Sequence, residues 1–189
     1  MGGHGGNGDL SKCGAVRSER MATAARISVQ EYLDSFWRPD RDFVDGATLE
    51  RNYGEYSHGR LHANVAVWMH SREKAGRFHI VPEVRLQISS SRFRIPDLML
   101  ISRDAPREEI VRTAPLLCIE IVSRDDTFRD MMDRLNDYFS IGVPVCWVID
   151  PVRGCGWVAT PGNLAEAVDG VLRAGAIEMP LAEVFEAEA

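Results

Sequence analysis

Lysine is almost missing from this chain of 189 residues. Lys12 and Lys74 are the only two, so chemistry that would ordinarily use a lysine has to fall to another residue, and the basic side chains are nearly all arginine. Positive charge is also in short supply. The net charge of −6 counts against a simple nucleic-acid-coating module, although an enzyme can still gather arginines on one face. No apolar run approaches the roughly 20 residues that span a bilayer, so no membrane-crossing helix is expected. The four cysteines (Cys13, Cys118, Cys146, Cys155) have neither zinc-site spacing nor a disulfide framework. Cys118 and Cys146 sit inside apolar runs and read as small core residues, with a reducing cytoplasm as the simplest location. The opening MGGHGGNGDLSKCG lacks the apolar stretch of a secretory signal. Residues 1–20 read as a disordered leader, Met21 as an alternative start, and 21–189 as one domain with a single core. No internal repeat is visible.

What is present is patterned. ISVQEYLDSF places Ile27, Tyr32, Leu33 and Phe36 on one helical face, with Ser28 as cap and Glu31 completing a capping box. Asp45-Gly46 marks a hairpin turn. From about Tyr56 to Lys74, Leu61, Val65, Trp68 and Met69 recur at helical spacing. FHIVPEVRLQI alternates as a strand, with Phe78, Ile80, Val84 and Leu86 on one side and His79, Glu83, Arg85 and Gln87 on the other. RFRIPDLMLIS is a second strand, broken by Pro96. PLLCIEIVS is a third, apolar on both faces and therefore central. TFRDMMDRLNDYFSIG is a helix capped by Thr127, with an apolar stripe of Phe128, Met131, Met132, Leu135, Tyr138 and Phe139, stopped at Gly142. VPVCWVID is the fourth strand. Val171-Leu172 and Ile177–Met179 read as edge strands and PLAEVF as a last helical turn. The fold class is α/β (α+β): a mixed central sheet flanked by helices, core order αβββαβ, preceded by a helix and a hairpin. The first three strands form a meander, and the late helix crosses over to a parallel strand.

Two acids stand in the wrong place for an inert core. Glu120 lies between LLCI and IV on a strand buried on both faces, where an unpartnered carboxylate costs several kcal/mol. By alternation, Asp97 shares a face with the apolar Ile95 and Met99. Two such acids on successive strands can converge on a divalent cation. The plain alternative gives each a local arginine, Arg94 or Arg85. His58 and His62, at i and i+4, have zinc-binding spacing, but no third ligand or protease-motif glutamate accompanies them. Trp68 and Trp147 fall on apolar patterns and read as core.

RIPDLMLIS followed by PLLCIEIVS resembles the Pro-Asp and Glu elements of the PD-(D/E)XK nuclease superfamily. ISVQEYL, DGATLERNYGEYSHGRLH, VPEVRLQIS, RFRIPD, CIEIVSRDD, DRLNDYFSIGV and WVIDP follow the order of its restriction-endonuclease branch over roughly residues 27–185. The resemblance implies a restriction-endonuclease-like core acting on DNA. Asp97 and Glu120 would be ligands of Mg²⁺ (or Mn²⁺), with the carbonyl of Ile121 and waters filling the shell. Glu83 would bind a metal water or a second cation, with a surface acid as its plain alternative. The superfamily's lysine two residues after the glutamate is Val122 here. In the branch it lies on the next helix, four residues before a tyrosine. Counting back from Tyr138 gives Arg134, which cannot act as a base but can stabilise phosphoryl charge. Its alternative is a surface pair with Asp130 or Asp137. Glu55 and His58 would approach the catalytic face from the first core helix and orient substrate. A homodimer is among the expectations, since one site per chain cuts two strands by two-fold pairing. Two rivals stand beside this reading. One is a catalytically degenerate nuclease fold that binds nucleic acid or a regulatory partner, favoured by Val122, Arg134 and the acidic balance. The other is a metalloprotein built on the histidines.

Overall fold

The computed structural model describes residues 26–37, 40–50 and 55–185. The leader and the start at Met21 lie outside them. Helix α1 (Val29–Asp34) begins as its sequence indicates, with Ser28 Oγ accepting the Glu31 amide at 3.1 Å. Only Tyr32 of the expected face is buried. The chain turns extended at Ser35, so Phe36 projects into solvent instead of joining the core. Strands β1 (Arg41–Val44) and β2 (Ala47–Glu50) pair around Asp45 and Gly46, whose φ values of 49° and 94° match the left-handed geometry of a two-residue hairpin turn. Helix α2 (Tyr56–His70) buries Leu61, Val65, Trp68 and Met69. It ends at Ser71 rather than at Lys74, and a short α3 (Glu73–Gly76) follows.

The long alternating segment from Phe78 is two strands, not one. β3 (Phe78–Pro82) stops at Glu83, which takes φ 50°, and β4 (Leu86–Ser89) continues in a different sheet. Alternation cannot reveal such a break, because the period resumes in step on its far side. Phe78 and Leu86 therefore enter separate clusters. The next segment also divides, at Pro96, into β5 (Arg92–Arg94) and β6 (Leu98–Ser102). The small sheet has the order β2-β1-β5-β4.

In the large sheet, β3 and β6 pair antiparallel with each other, and β6 likewise with the fully buried β7 (Leu117–Ile121). Helix α4 (Phe128–Ser140) then crosses over to β8 (Cys146–Asp150), which is parallel to β7. Meander, crossover and central position of the Glu120 strand all follow the sequence reading. Two strands were not foreseen: β9 (Cys155–Thr160) and β10 (Asn163–Glu166) extend the sheet to the order β10-β9-β8-β7-β6-β3. β11 (Val171–Ala174) and β12 (Ile177–Pro180) make a separate hairpin, followed by a 3-10 turn at Leu181–Glu183.

Helices cover both faces of the large sheet. On one face α2 packs over Leu98, Leu100, Leu117, Ile119, Ile121 and Trp147. On the other, Met131, Leu135 and Tyr138 of α4 pack over Met99, Cys118, Cys146 and Val148, while Phe128 at the helix start is exposed. Thr127 caps α4 by accepting the Asp130 amide, and Gly142 ends it with φ 92°. Tyr32, Phe43 and Phe93 form a third cluster under the small sheet. Among the described residues no helix is long and apolar enough to cross a membrane.

Candidate active site

β6 and β7 align Leu98 with Ile119 in antiparallel register. Continued by one residue, that register sets Asp97 directly across from Glu120, and opposed residues of an antiparallel pair project from the same face. That face belongs to α4, because Met99 and Cys118, two residues along each strand, lie in the α4 cluster. Both acids are nearly sealed, Asp97 at 2% and Glu120 at 3% exposure. Both nonetheless border one cleft of about 730 Å³, together with Ile121, Glu83, His58, His62, Arg94 and Arg134. Carboxylates dominate the lining, since Asp42, Asp125, Asp126, Asp130 and Asp133 also reach it.

Each acid is held by the main chain or by a helix. Asp97 Oδ2 accepts the Ile121 amide at 2.7 Å and lies 3.5 Å from His58 Nε2. The Asp97 carbonyl accepts the Glu83 amide at 3.2 Å and lies 3.0 Å from His62 Nε2. Tyr138 Oη donates to Glu120 Oε1 at 2.5 Å. Burial first, and then the Glu120 charge, push the Tyr138 phenol far above its usual range, so it stays a neutral donor. Arg134 approaches from the same helix, with Nε 3.3 Å from Glu120 Oε2 and Nη2 2.8 Å from Asp126 Oδ1. Burial works against its charge, but Glu120 and Asp126 outweigh this and hold the guanidinium protonated well beyond its ordinary value. The Nε–H is poorly directed at Glu120 and stays a buried donor without a hydrogen-bond acceptor.

The arginines suggested as local partners for the two acids are used elsewhere. Arg94 bridges Asp42 at 2.9 Å and Asp137 at 2.7 Å, and Arg85 binds Asp40. Arg134 pairs with neither Asp130 nor Asp137, the surface partners considered for it. Val122, in the superfamily's lysine position, packs in the α4-side core. Glu83 lies at the break between β3 and β4, exposed and with left-handed backbone, not within a strand. Glu55 precedes α2 at the rim, 4.0 Å from Arg124, and is not among the residues lining the cleft. His58 and His62 stack with ring centroids 6.4 Å apart. No group of three His, Cys, Asp or Glu able to hold a metal occurs among the described residues. Sequence reasoning missed Tyr138 and Asp126 as site residues. Tyr138 was counted in the apolar stripe, and its position four residues after Arg134, on the same helical face, was the available signal.

A model of the Uma2 family, described as "putative restriction endonuclease", matches residues 29–175. The crystal structure of a putative nuclease of the DUF820 group from Anabaena variabilis superposes with a TM-score of 0.73 at 20% identity, covering 84% of this chain and 97% of that one, which establishes a shared fold. Comparison with curated proteins gives no match. With the family match spanning both buried acids and α4, the chain belongs to the Uma2 family, within the restriction-endonuclease-like nucleases.

Proposed function

We propose that this protein is a divalent-metal-dependent endonuclease that hydrolyses DNA phosphodiester bonds. One observation carries the reading: the β6–β7 register sets Asp97 opposite Glu120, both sealed from solvent yet bordering one cleft. The donor set fits Mg²⁺ or Mn²⁺, which take hard oxygen ligands and usually need only one or two carboxylates beside phosphate oxygens and water. A cage of three protein ligands is therefore not required. Asp97, Glu120 and the Ile121 carbonyl would hold the ion, which when bound supplies a more acidic water and neutralises charge on the scissile phosphate.

The chain's own residues do the rest. The Ile121 amide and the Tyr138 hydroxyl each bind one carboxylate oxygen, fixing how the two acids are turned. Arg134 brings a permanent charge beside Glu120, where developing phosphoryl charge is stabilised without any proton transfer. His58 Nε2, next to Asp97, and Glu83 at the cleft edge can orient a water or the substrate backbone. The remaining carboxylates repel bare phosphate, so substrate entry should depend on divalent cations more steeply than one site alone would require.

A second reading has its own support. Arg134 already lies 3.3 Å from Glu120 Oε2, where it can stand in for a metal's charge in a fold that binds without cutting. One assay separates the two. Supercoiled plasmid and single-stranded DNA are incubated with Mn²⁺ and native protein, E120Q or D97N. Loss of cleavage by roughly 100-fold or more in both variants is expected. Equal cleavage by native protein and E120Q removes the catalytic assignment, and DNA retention without cleavage by the native protein selects the binding module.

A further inference from the structure

Arg134 and Glu120 do not meet alone. Asp126, in the turn between β7 and α4, has its side chain only 9% exposed, with both oxygens engaged: Oδ2 accepts the Ser123 amide at 2.8 Å and Oδ1 accepts Arg134 Nη2 at 2.8 Å. One end of the carboxylate is thus tied to the backbone just beyond the Glu120 strand, and the other grips the guanidinium. A guanidinium is planar, and its nitrogens keep fixed positions relative to one another. Holding Nη2 therefore sets the roll of the whole plane, and with it the direction in which Nε faces Glu120 and the cleft. Without that grip, a side chain with four rotatable bonds has just the loosely directed contact with Glu120 at 3.3 Å and a weak Nη2 contact with Met131 Sδ at 3.9 Å to hold it.

We propose that Asp126 is a positioning residue for Arg134, orienting the guanidinium plane so that its charge lies beside Glu120 and on the cleft. The effect on rate rests on the nuclease reading above, whereas the orienting effect does not. A lysine ammonium has no plane to orient, so the need for Asp126 should vanish when Arg134 is replaced by lysine.

The experiment has two readouts. In ¹H–¹⁵N spectra of arginine side chains, the Nε–H signal that disappears in R134K identifies Arg134. It should be sharp and slow to exchange in the native protein, and broadened or fast-exchanging in D126N. An unchanged signal overturns the proposal whatever the activity. In Mn²⁺-supported cleavage, D126N should lower kcat about tenfold with KM nearly unchanged, as expected when a charge that stabilises the transition state is kept but no longer aimed. In the R134K background the same change should cost less than about twofold. Equal losses in the two backgrounds mean that Asp126 merely holds the turn, and they overturn the proposal. If D126N does not fold, D126E keeps the charge while displacing it by one methylene, and the same pair of comparisons decides. A native protein that cuts no DNA ends the nuclease reading, while the Nε–H signal still decides whether Asp126 orients Arg134.

Discussion

Arg94 ties the small sheet to α4 through buried ion pairs, and the cost of removing it can be worked out. The residue is 6% exposed, and its guanidinium joins Asp42 on β1 to Asp137 on α4. Breaking a buried ion pair from one side costs about 3–5 kcal/mol, because the abandoned charge stays buried. R94M abandons two carboxylates, but each keeps one other donor: the Ile95 amide at 2.9 Å for Asp42 and Arg92 at 2.7 Å for Asp137. The lower end, about 3 kcal/mol, is therefore expected, which in a chain of this size lowers Tm by roughly 6–12 °C. R92M is the comparison. Arg92 also reaches Asp137, but it is partly exposed and its second partner Asp45 is more so, which places it near 1 kcal/mol. Thermal and urea melts of both variants at pH 7 test the ordering. A shift in R94M below about 2 °C, or no larger than that of R92M, refutes the view that this bridge anchors α4.

Two further predictions concern the site's edge and the acid limb of stability. Glu83 adopts φ 50°, a strained backbone for a residue with a side chain, so E83G should gain about 0.5–1 kcal/mol, or roughly 1–4 °C in Tm, while lowering cleavage; a destabilised E83G refutes the strain. The Glu73 carboxyl is held below its ordinary value: burial alone would raise it, but the Ile80 amide at 2.8 Å and the imidazoles of His70 and His79 outweigh that. A depressed carboxyl stabilises the fold above its unfolded value, and that contribution is lost as pH falls through the folded one. E73Q should thus melt below the native protein at pH 7, with the gap closing below about pH 4; an equal gap at pH 7 and pH 3 refutes it.

The elements most legible in the sequence were those whose evidence is local. The stripe of α2, the capping of α1 and α4, the Asp45-Gly46 turn and the doubly apolar β7 each depend on neighbours within a few residues. The two acids stood out for the same reason, as charges in apolar runs. What escaped notice was long-range. Nothing in the alternation from Phe78 to Leu86 shows that the chain leaves one sheet for another at Glu83. β9 (CGWVAT) has no alternation of apolar and polar residues and β10 is short and mostly exposed, so no strong pattern marks them. The bridges from Arg94 to Asp42 and Asp137 join residues 52 and 43 positions apart, a distance no periodicity spans. Tyr138 looked like core because its ring is core, and only the fold shows where its hydroxyl points.

The pairing of β6 with β7 also sets where this chain can change length. Within the connection between the two strands, residues 104–109 are largely exposed and lie outside the ladder, whereas the buried Val111 exchanges backbone bonds with Arg85 and Gln87, so insertions or deletions at 104–109 leave the opposed carboxylates untouched. One residue added within 98–100 or 117–119 would instead turn one acid through the sheet to the side packed by α2, separating the two across a layer of aliphatic side chains. Working copies of this fold should accordingly vary in length at residues 104–109 and hold the number of residues constant along the two short strands.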